Sequence, residues 1–325
     1  MTSARWAAAI ILLAVSPLYA SAQAQNFPTR NITVIVPYAA GGPTDLAARQ
    51  LAPLLTTRLG QNVIVENVSG GGTNIATGRV ANASPDGYTL LLHNLQISAN
   101  VSLYPKLAGD TDKRLVPIAF INNNPLVLVG RKSLAANTLP ELIAWMKTTR
   151  SKIAYPGVGS TGHLTTALFL QSIGTDGDLV PYRGAAPALQ DIVGGHADLF
   201  YATPQQVVGV IKDGTVKAYG VTAKEPLKQL SAVPSMVQAL GPKLEVRFWQ
   251  ALFAPAATPE AVLEKLNAAL REAMQDPALL KSWDDTGVLG YTNEYHTLAG
   301  AKALFRSEII RWGEVVRVNR IEGQD

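Results

Sequence analysis

Short apolar runs alternate along the chain with longer segments in which apolar residues recur at helical spacing. An apolar run of about four to eight residues between turn signals predicts a buried strand, whereas helical spacing predicts an amphipathic helix. The alternation is typical of an α/β fold in which helices cover mixed, mostly parallel sheets. The predicted strands are 32–37, 63–67, 88–93, 118–121, 126–129, 153–155, 179–182 and 248–255. The main predicted helices are 45–59, 75–83 and 261–274, and others begin near residues 138, 163 and 187.

Two segments, at 122–125 and 248–255, could carry the chain from one lobe to another. Two crossings predict a first lobe built from residues 25–124 and 247–325 and a second lobe built from residues 125–246. Ligands of open α/β sheets bind outside the carboxyl ends of the strands, and in a two-lobed protein these ends can face each other across a cleft.

The first predicted strand breaks at Gly41-Gly42 and the chain reopens as a helix. Free N–H groups of a first helical turn, together with the partial positive charge of the helix N-terminus, favour an anion. Pro43 suits the first helical position, and Thr44 and Asp45 can cap exposed N–H groups. The same residues also fit an ordinary strand–turn–helix, so this segment alone leaves both readings open.

The same pattern recurs twice in the middle of the chain. Strand 153–155 runs into the glycine-rich segment 156–162, and strand 179–182 runs into residues 183–187. Three strand ends therefore deliver small residues to helix starts, and we expect all three to meet at the cleft.

Composition excludes several classes of site. The chain has 325 residues, 47% hydrophobic and 16% charged, which is enough for a large core. The absence of cysteine removes disulfides, thiolate metal sites and cysteine nucleophiles, and the four histidines at 93, 163, 196 and 296 have no metal-ligand spacing. We therefore expect no metal and no cofactor. The net charge of +4 is small and no basic cluster is interleaved with aromatic residues, so we expect no nucleic-acid partner.

The N-terminus has the three-part form of a secretory signal peptide. Arg5 precedes the apolar run 6–15, and the small residues Ala22 and Ala24 mark a cleavage site after residue 24. The run is shorter than the roughly 20 residues of a membrane span, and no later segment approaches that length. We expect residues 1–24 to be removed and the mature protein to be soluble in the periplasm.

At the level of motifs, the chain resembles the substrate-binding proteins of tripartite tricarboxylate transporters, also called the Bug family. The matching motifs are VPYAAGGPTDLAAR at 36–49, VENVSGGGTNIATGRVANASPDGYTLL at 65–91, YPGVGSTGHL at 155–164, VPYRGAAPALQDIVGGHADLF at 180–200 and APAATPEAVLEKLNAAL at 254–270. The resemblance implies a type II periplasmic binding fold, with two lobes that are joined by two crossing strands and close on a carboxylated solute.

The resemblance also implies a set of ligand-binding residues and no catalytic residue. Asn94 and Gln96 follow the third strand and would read the distal part of the ligand, and the side chain of Arg183 would either contact the ligand or lie in solvent. The family often has Pro-Gly-Gly where this chain has Ala40-Gly41-Gly42. The implied ligand-binding residues are Tyr38, Ala40, Gly41, Gly42, Pro43, Thr44, Asp45, Gly71, Gly72, Thr73, Asn94, Gln96, Gly159, Ser160, Thr161, His163, Arg183, Gly184, Ala185, Tyr201 and Thr203.

By this resemblance the protein is a monomeric receptor that captures a dicarboxylate, a tricarboxylate or an aromatic carboxylate and presents it to a membrane permease or a sensor kinase. Which acid it binds stays open. A secreted hydrolase that uses Ser160 and His163, with Asp45 or Asp198 as the orienting acid, is the alternative. Ser160 lies in GxGST and not in a GxSxG elbow, which favours binding over catalysis.

Overall fold

The computed structural model describes residues 26–323, so the predicted signal peptide lies outside the described residues. Ten strands form two sheets of five. The strands are β1 Ile32–Val36, β2 Val63–Asn67, β3 Thr89–Asn94, β4 Leu115–Pro125, β5 Val127–Arg131, β6 Lys152–Tyr155, β7 Asp178–Pro181, β8 Leu199–Ala202, β9 Val216–Val221 and β10 Arg247–Pro255.

Helices follow most of the strands, as the hydrophobic pattern predicts. The helices are α1 Pro43–Leu59, α2 Asn74–Ala81, α3 Gln96–Leu103, α4 Pro105–Ala108, α5 Thr111–Arg114, α6 Leu139–Thr148, α7 Thr161–Ile173, α8 Ala185–Gly194, α9 Pro204–Lys212, α10 Met236–Leu240, α11 Glu260–Ala273, α12 Pro277–Thr286 and α13 Leu298–Val318. No helix within residues 26–323 is long and apolar enough to cross a membrane.

The two sheets have the same arrangement. The first has the order β2-β1-β3-β10-β4 and the second the order β7-β6-β8-β5-β9. In each sheet three mutually parallel strands are followed by one strand, β10 or β5, that is antiparallel to both of its neighbours. The predicted α/β class with mixed sheets is confirmed. We call the part built on the first sheet the first lobe and the part built on the second sheet the second lobe.

Each lobe has its own apolar core. In the first lobe, Val34 of β1 and Leu51 of α1 belong to one buried cluster. In the second lobe, Val129 of β5 packs with Ile192 of α8 and Val207 of α9. A further cluster contains residues of both lobes, because it joins α3 and β10 of the first lobe to α7 of the second. The lobes are therefore packed against each other.

Two crossing segments join the lobes side by side. Leu126 connects β4 of the first sheet to β5 of the second, and Val246 immediately precedes β10. The Thr222 hydroxyl ties them together, since it accepts the Leu126 N–H at 2.8 Å and donates to the Val246 carbonyl at 2.7 Å. Any motion of one lobe relative to the other must bend both crossings together.

Two polar contacts also join the lobes away from the crossing segments. The Gln96 amide at the start of α3 donates to the Val158 carbonyl of the second lobe at 2.8 Å. On another side, Lys228 forms an ion pair with Asp284 of α12 at 3.0 Å. Both contacts connect the two lobes outside the crossing segments.

Candidate functional site

A cavity lies between the lobes, at the carboxyl ends of the parallel strands, as the sequence predicts for the cleft. Its empty volume, including the opening to solvent, is about 460 Å³. The lining residues are Tyr38, Gly42, Pro43, Thr44, Asn94, Leu126, Pro156, Ser160, Thr161, Gly162, Ala185, Tyr201, Thr203, Gln206 and Phe248. None of them is Lys, Arg, Asp or Glu, so a charged ligand would meet no charged side chain in this wall.

Four helix N-termini meet at the cavity. Helix α1 of the first lobe begins there at Pro43, and the starts of α7, α8 and α9 face it from the second lobe. The first N–H groups of each helix have no carbonyl partner within the helix and carry partial positive charge. Apart from Pro43 and Pro204, which have no N–H, the first residues of these helices bring hydrogen-bond donors suited to an anion to the cavity.

The turn before α1 is fixed by Asp45, which is only 2% exposed. Its carboxylate accepts hydrogen bonds from the Gly41 N–H at 2.8 Å, from Arg49 at 3.0 Å and from the Asn67 amide at 3.0 Å. Burial opposes ionisation, but these hydrogen bonds outweigh it and lower the pKa of Asp45.

Neither Asp45 nor Thr44 caps the helix, and the expectation that they do is wrong. The N-cap residue is Gly42, which has no side chain to offer. The Asp45 carboxylate instead turns back to the preceding Gly41, which leaves the N–H groups of the first turn of α1 without an intrahelical partner.

A hydrogen-bond chain supports the first-lobe wall. The Tyr38 hydroxyl donates to the Asn94 side-chain oxygen at 2.8 Å, with the Gln96 oxygen as a second acceptor at 3.1 Å. The Asn94 amide in turn donates to the Thr44 hydroxyl at 3.2 Å. Because this hydroxyl is used as an acceptor, its hydrogen is free to point at a ligand. Burial raises the pKa of Tyr38, so its phenol stays protonated.

The second-lobe wall contains a buried hydroxyl without a protein partner. Thr161, at the first position of α7, is 3% exposed, and its hydroxyl forms no hydrogen bond with any described residue. Buried hydroxyls are nearly always hydrogen-bonded. A ligand atom in the cavity would supply the missing partner.

His163 holds the glycine-rich loop that precedes α7. Its Nδ1 accepts the Gly159 N–H at 3.2 Å, and its ring stacks on Tyr155 with the ring centroids 4.4 Å apart. Burial lowers the pKa of His163 to about 4, so the imidazole is neutral near pH 7. The residue supports the loop from behind and does not line the cavity.

The geometry does not assemble a catalytic triad. Ser160 and His163 are joined by the His163 backbone N–H, which donates to the serine hydroxyl at 3.3 Å, whereas the imidazole Nδ1 is occupied by Gly159. Asp198 binds Arg131 and the backbone of Lys152, each at 2.8 Å. The serine is an N-cap and not an activated nucleophile.

The neutral state of His163 predicts a pH-dependent stability. Because its pKa in the folded protein lies below that of an exposed histidine, the unfolded chain binds the proton more readily. This contribution is full above about pH 6.5 and is lost as the pH falls towards about 4, a decrease of at most about 3 kcal/mol. The variant His163→Asn, whose side-chain oxygen can replace Nδ1 as acceptor, should have a shallower dependence.

Urea unfolding of both proteins between these pH values measures the difference. Both keep His93, whose pKa burial lowers to about 3, so the difference isolates His163. Equal slopes for the two proteins would contradict a neutral, structural His163.

The structure brings many of the sequence-predicted residues together and leaves others outside the wall. Those in the wall are Tyr38, Gly42, Pro43, Thr44, Asn94, Ser160, Thr161, Ala185, Tyr201 and Thr203. Those outside it are Ala40, Gly41, Asp45, Gly71, Gly72, Thr73, Gln96, Gly159, His163, Arg183 and Gly184.

Several of the residues outside the wall have structural partners. The Gly72 carbonyl and the Thr73 hydroxyl both accept from the Asn100 amide, at 2.7 and 3.0 Å. Gln96 spans the lobes through Val158. The side chain of Arg183 is exposed, which places only its neighbours at the helix start against the cavity.

The sequence analysis missed Leu126, Pro156, Gly162, Gln206 and Phe248. Gln206 could have been found, because Thr203 precedes it by three residues with a proline between them, the spacing of a capping box. Leu126 lies in one crossing segment and Phe248 follows directly after the other, so their place at the cleft follows from the two-lobed arrangement.

Comparison with known proteins gives a consistent result. The family model described as "Tripartite tricarboxylate transporter family receptor" matches residues 47–320. A UPF0065 protein of Agrobacterium vitis, from the TAR-I ttuE-ttuC' intergenic region, is 34% identical over 316 residues, which is 97% of this chain and 91% of the relative.

Solved structures are similar over nearly the whole chain. The periplasmic binding protein BugD is 31% identical with a TM-score of 0.87, over 92% of this chain and all of BugD. MatC from Rhodopseudomonas palustris, solved with bound malate, is 36% identical with a TM-score of 0.84, over 89% of this chain and all of MatC. An R. palustris protein solved with adipate is 28% identical with a TM-score of 0.85, over 91% of this chain and 99% of that protein.

Proposed function

The chain belongs to the tripartite tricarboxylate transporter receptor family and is a periplasmic solute-binding protein, and we propose that it captures a small aliphatic dicarboxylate between its lobes. The observation that carries the proposal is the meeting of four helix N-termini at a cavity without a charged side chain. Backbone N–H groups there neutralise the ligand in place of arginine or lysine.

A ligand with two anionic ends fits the distribution of these donors. Helix α1 offers its N-terminus from the first lobe, while α7, α8 and α9 offer theirs from the second. A carboxylate at each end of a short chain would bridge the lobes and favour the closed arrangement by contacts that exist only there. Malate in MatC and adipate in the R. palustris neighbour are both dicarboxylates, which supports this ligand class.

The closed complex would then present the dicarboxylate to a membrane permease of the tripartite type. Family membership supports this step, since the family is described as a transporter receptor. Uptake of the labelled acid that continues unchanged in cells without the receptor would contradict it.

A thermal-shift screen of small carboxylic acids tests the capture step. At 100 times its Kd a ligand stabilises the folded state by about 2.7 kcal/mol, which gives a clear shift for a protein of this size. We expect aliphatic dicarboxylates to raise the melting temperature and the matching uncharged diols to leave it unchanged. A screen in which no acid shifts the transition would overturn the proposal.

A further inference from the structure

A groove lies beside the ligand cavity, on the outer surface between α1, α8 and α9. Its empty volume, including its opening to solvent, is about 880 Å³. Leu46 lines it from the first lobe, and Leu189, Val193 and Gln205 line it from the second. The groove therefore crosses the boundary between the lobes, as the cavity does.

The cavity and the groove meet at three places. Gly42 and Ala185 line the cavity, and their chain neighbours Gly41 and Ala186 line the groove. Gln206 lines both spaces. A Cβ atom built on Gly41 would lie 3.9 Å from the Ala186 Cβ, so the turn before α1 and the start of α8 approach each other closely. These three places form the partition between the cavity and the groove, and only Gln206 has a long side chain there.

The side chain of Gln206 is held in place by its oxygen. Its Oε1 accepts hydrogen bonds from the Thr203 hydroxyl at 3.2 Å and from the Thr203 N–H at 3.4 Å, which makes it part of the capping box of α9. The Nε2 group forms no hydrogen bond with another described side chain or backbone group. The length of the side chain therefore stands at the partition between the cavity and the groove, while its oxygen completes the cap of α9.

We propose that Gln206 is the end wall of the ligand cavity and sets the longest dicarboxylate that the closed receptor accepts. This inference rests on the proposed capture of a dicarboxylate. A longer acid would meet the Gln206 side chain before the lobes could close on it. Truncation of this side chain would join the cavity to the groove, and the far end of a longer acid could then extend between α8 and α9 towards solvent.

The test is calorimetric titration with succinate, adipate, suberate and sebacate. For Gln206→Ala we expect the affinity for sebacate, relative to the affinity for succinate, to rise at least about tenfold over the same ratio in the unmodified receptor. Gln205→Ala is the matched control, because Gln205 lines the groove and not the cavity, and it should keep the original length preference.

The variant Gln206→Met distinguishes the effect of side-chain length from the effect of the hydrogen bonds that cap α9. Methionine fills about the same length but cannot replace the oxygen that accepts from Thr203, so this variant should also keep the original preference. If loss of the cap prevents Gln206→Ala from folding, as judged by circular dichroism, Gln206→Asn shortens the side chain by one methylene and should move the preference in the same direction.

A folded Gln206→Ala that binds the short acid and keeps the original length preference would overturn this inference and leave the capture of a dicarboxylate intact. The inference would also be overturned if Gln206→Met shifts the length preference as Gln206→Ala does, because the shift would then come from loss of the hydrogen bonds to Thr203 and not from the shorter side chain. Failure of every acid to bind the unmodified receptor would instead overturn the proposed function.

Discussion

Replacement of Gly42 by valine should abolish ligand binding while the protein stays folded. Gly42 has φ −77° and ψ 167°, an extended conformation that any residue adopts. A Cβ atom at this position would meet only the Ala39 carbonyl, at an ordinary 3.7 Å. Since Gly42 lines the cavity, the branched side chain would enter the space of the ligand. We expect a loss of at least about a hundredfold in affinity, roughly 2.8 kcal/mol.

The neighbouring variant Thr44→Ala provides the comparison. It removes one hydroxyl from the same helix start and keeps the backbone N–H, so it should cost only about 0.5–1.5 kcal/mol of binding free energy. Titration calorimetry gives both affinities, and circular dichroism confirms the fold. Tight binding by a folded Gly42→Val variant would place the carboxylate away from the start of α1.

Closure of the lobes can be tested at a residue that does not line the cavity. Gly159 has φ +76°, and a Cβ atom built on it would lie 2.4 Å from Leu103 and 3.2 Å from the Asn100 oxygen, both on α3 of the first lobe. Leu103 is buried and cannot move aside freely. Gly159→Ala should therefore hold the lobes apart and weaken binding by at least about tenfold.

Gly174→Ala is the matched control for Gly159→Ala. Gly174 ends α7 with φ +64°, and a Cβ atom there would meet nothing within 4 Å. Both variants carry a similar backbone cost of roughly 1 kcal/mol, but only Gly159→Ala adds a contact between the lobes. Small-angle scattering at saturating ligand should show a larger radius of gyration for Gly159→Ala than for Gly174→Ala. Equal radii and equal affinities would contradict a role for this contact in closure.

The sequence predicts the fold well because the fold depends on local patterns that repeat. Apolar runs and helical spacing identify most strands and helices, and the recurring glycine-rich ends of strands β1, β6 and β7 identify three of the helix starts at the cavity. The fourth, at Thr203, carries a capping-box signal that is equally local.

The functions of individual residues at the site are harder to predict, because they depend on contacts between distant segments. From sequence, Asp45 could cap its own helix or support the preceding turn. In the structure, hydrogen bonds from Arg49 and Asn67 hold its carboxylate at the turn. The glycine at 42 suggests a backbone conformation that other residues disfavour, but it is Gly41 that has the positive φ, +83°. Gly72 lies near the cleft in the predicted topology but is covered by Asn100 of α3.

The central claim is that backbone N–H groups at helix starts bind an ionised carboxylate. The most direct measurement is calorimetric titration of the tightest dicarboxylate from the screen against its mono-amide, which has nearly the same shape and one negative charge fewer. Because helix N-termini favour negative charge and the cavity wall has no charged side chain, we expect the mono-amide to bind at least about tenfold more weakly, about 1.4 kcal/mol. Equal affinities of the acid and the amide would contradict the claim.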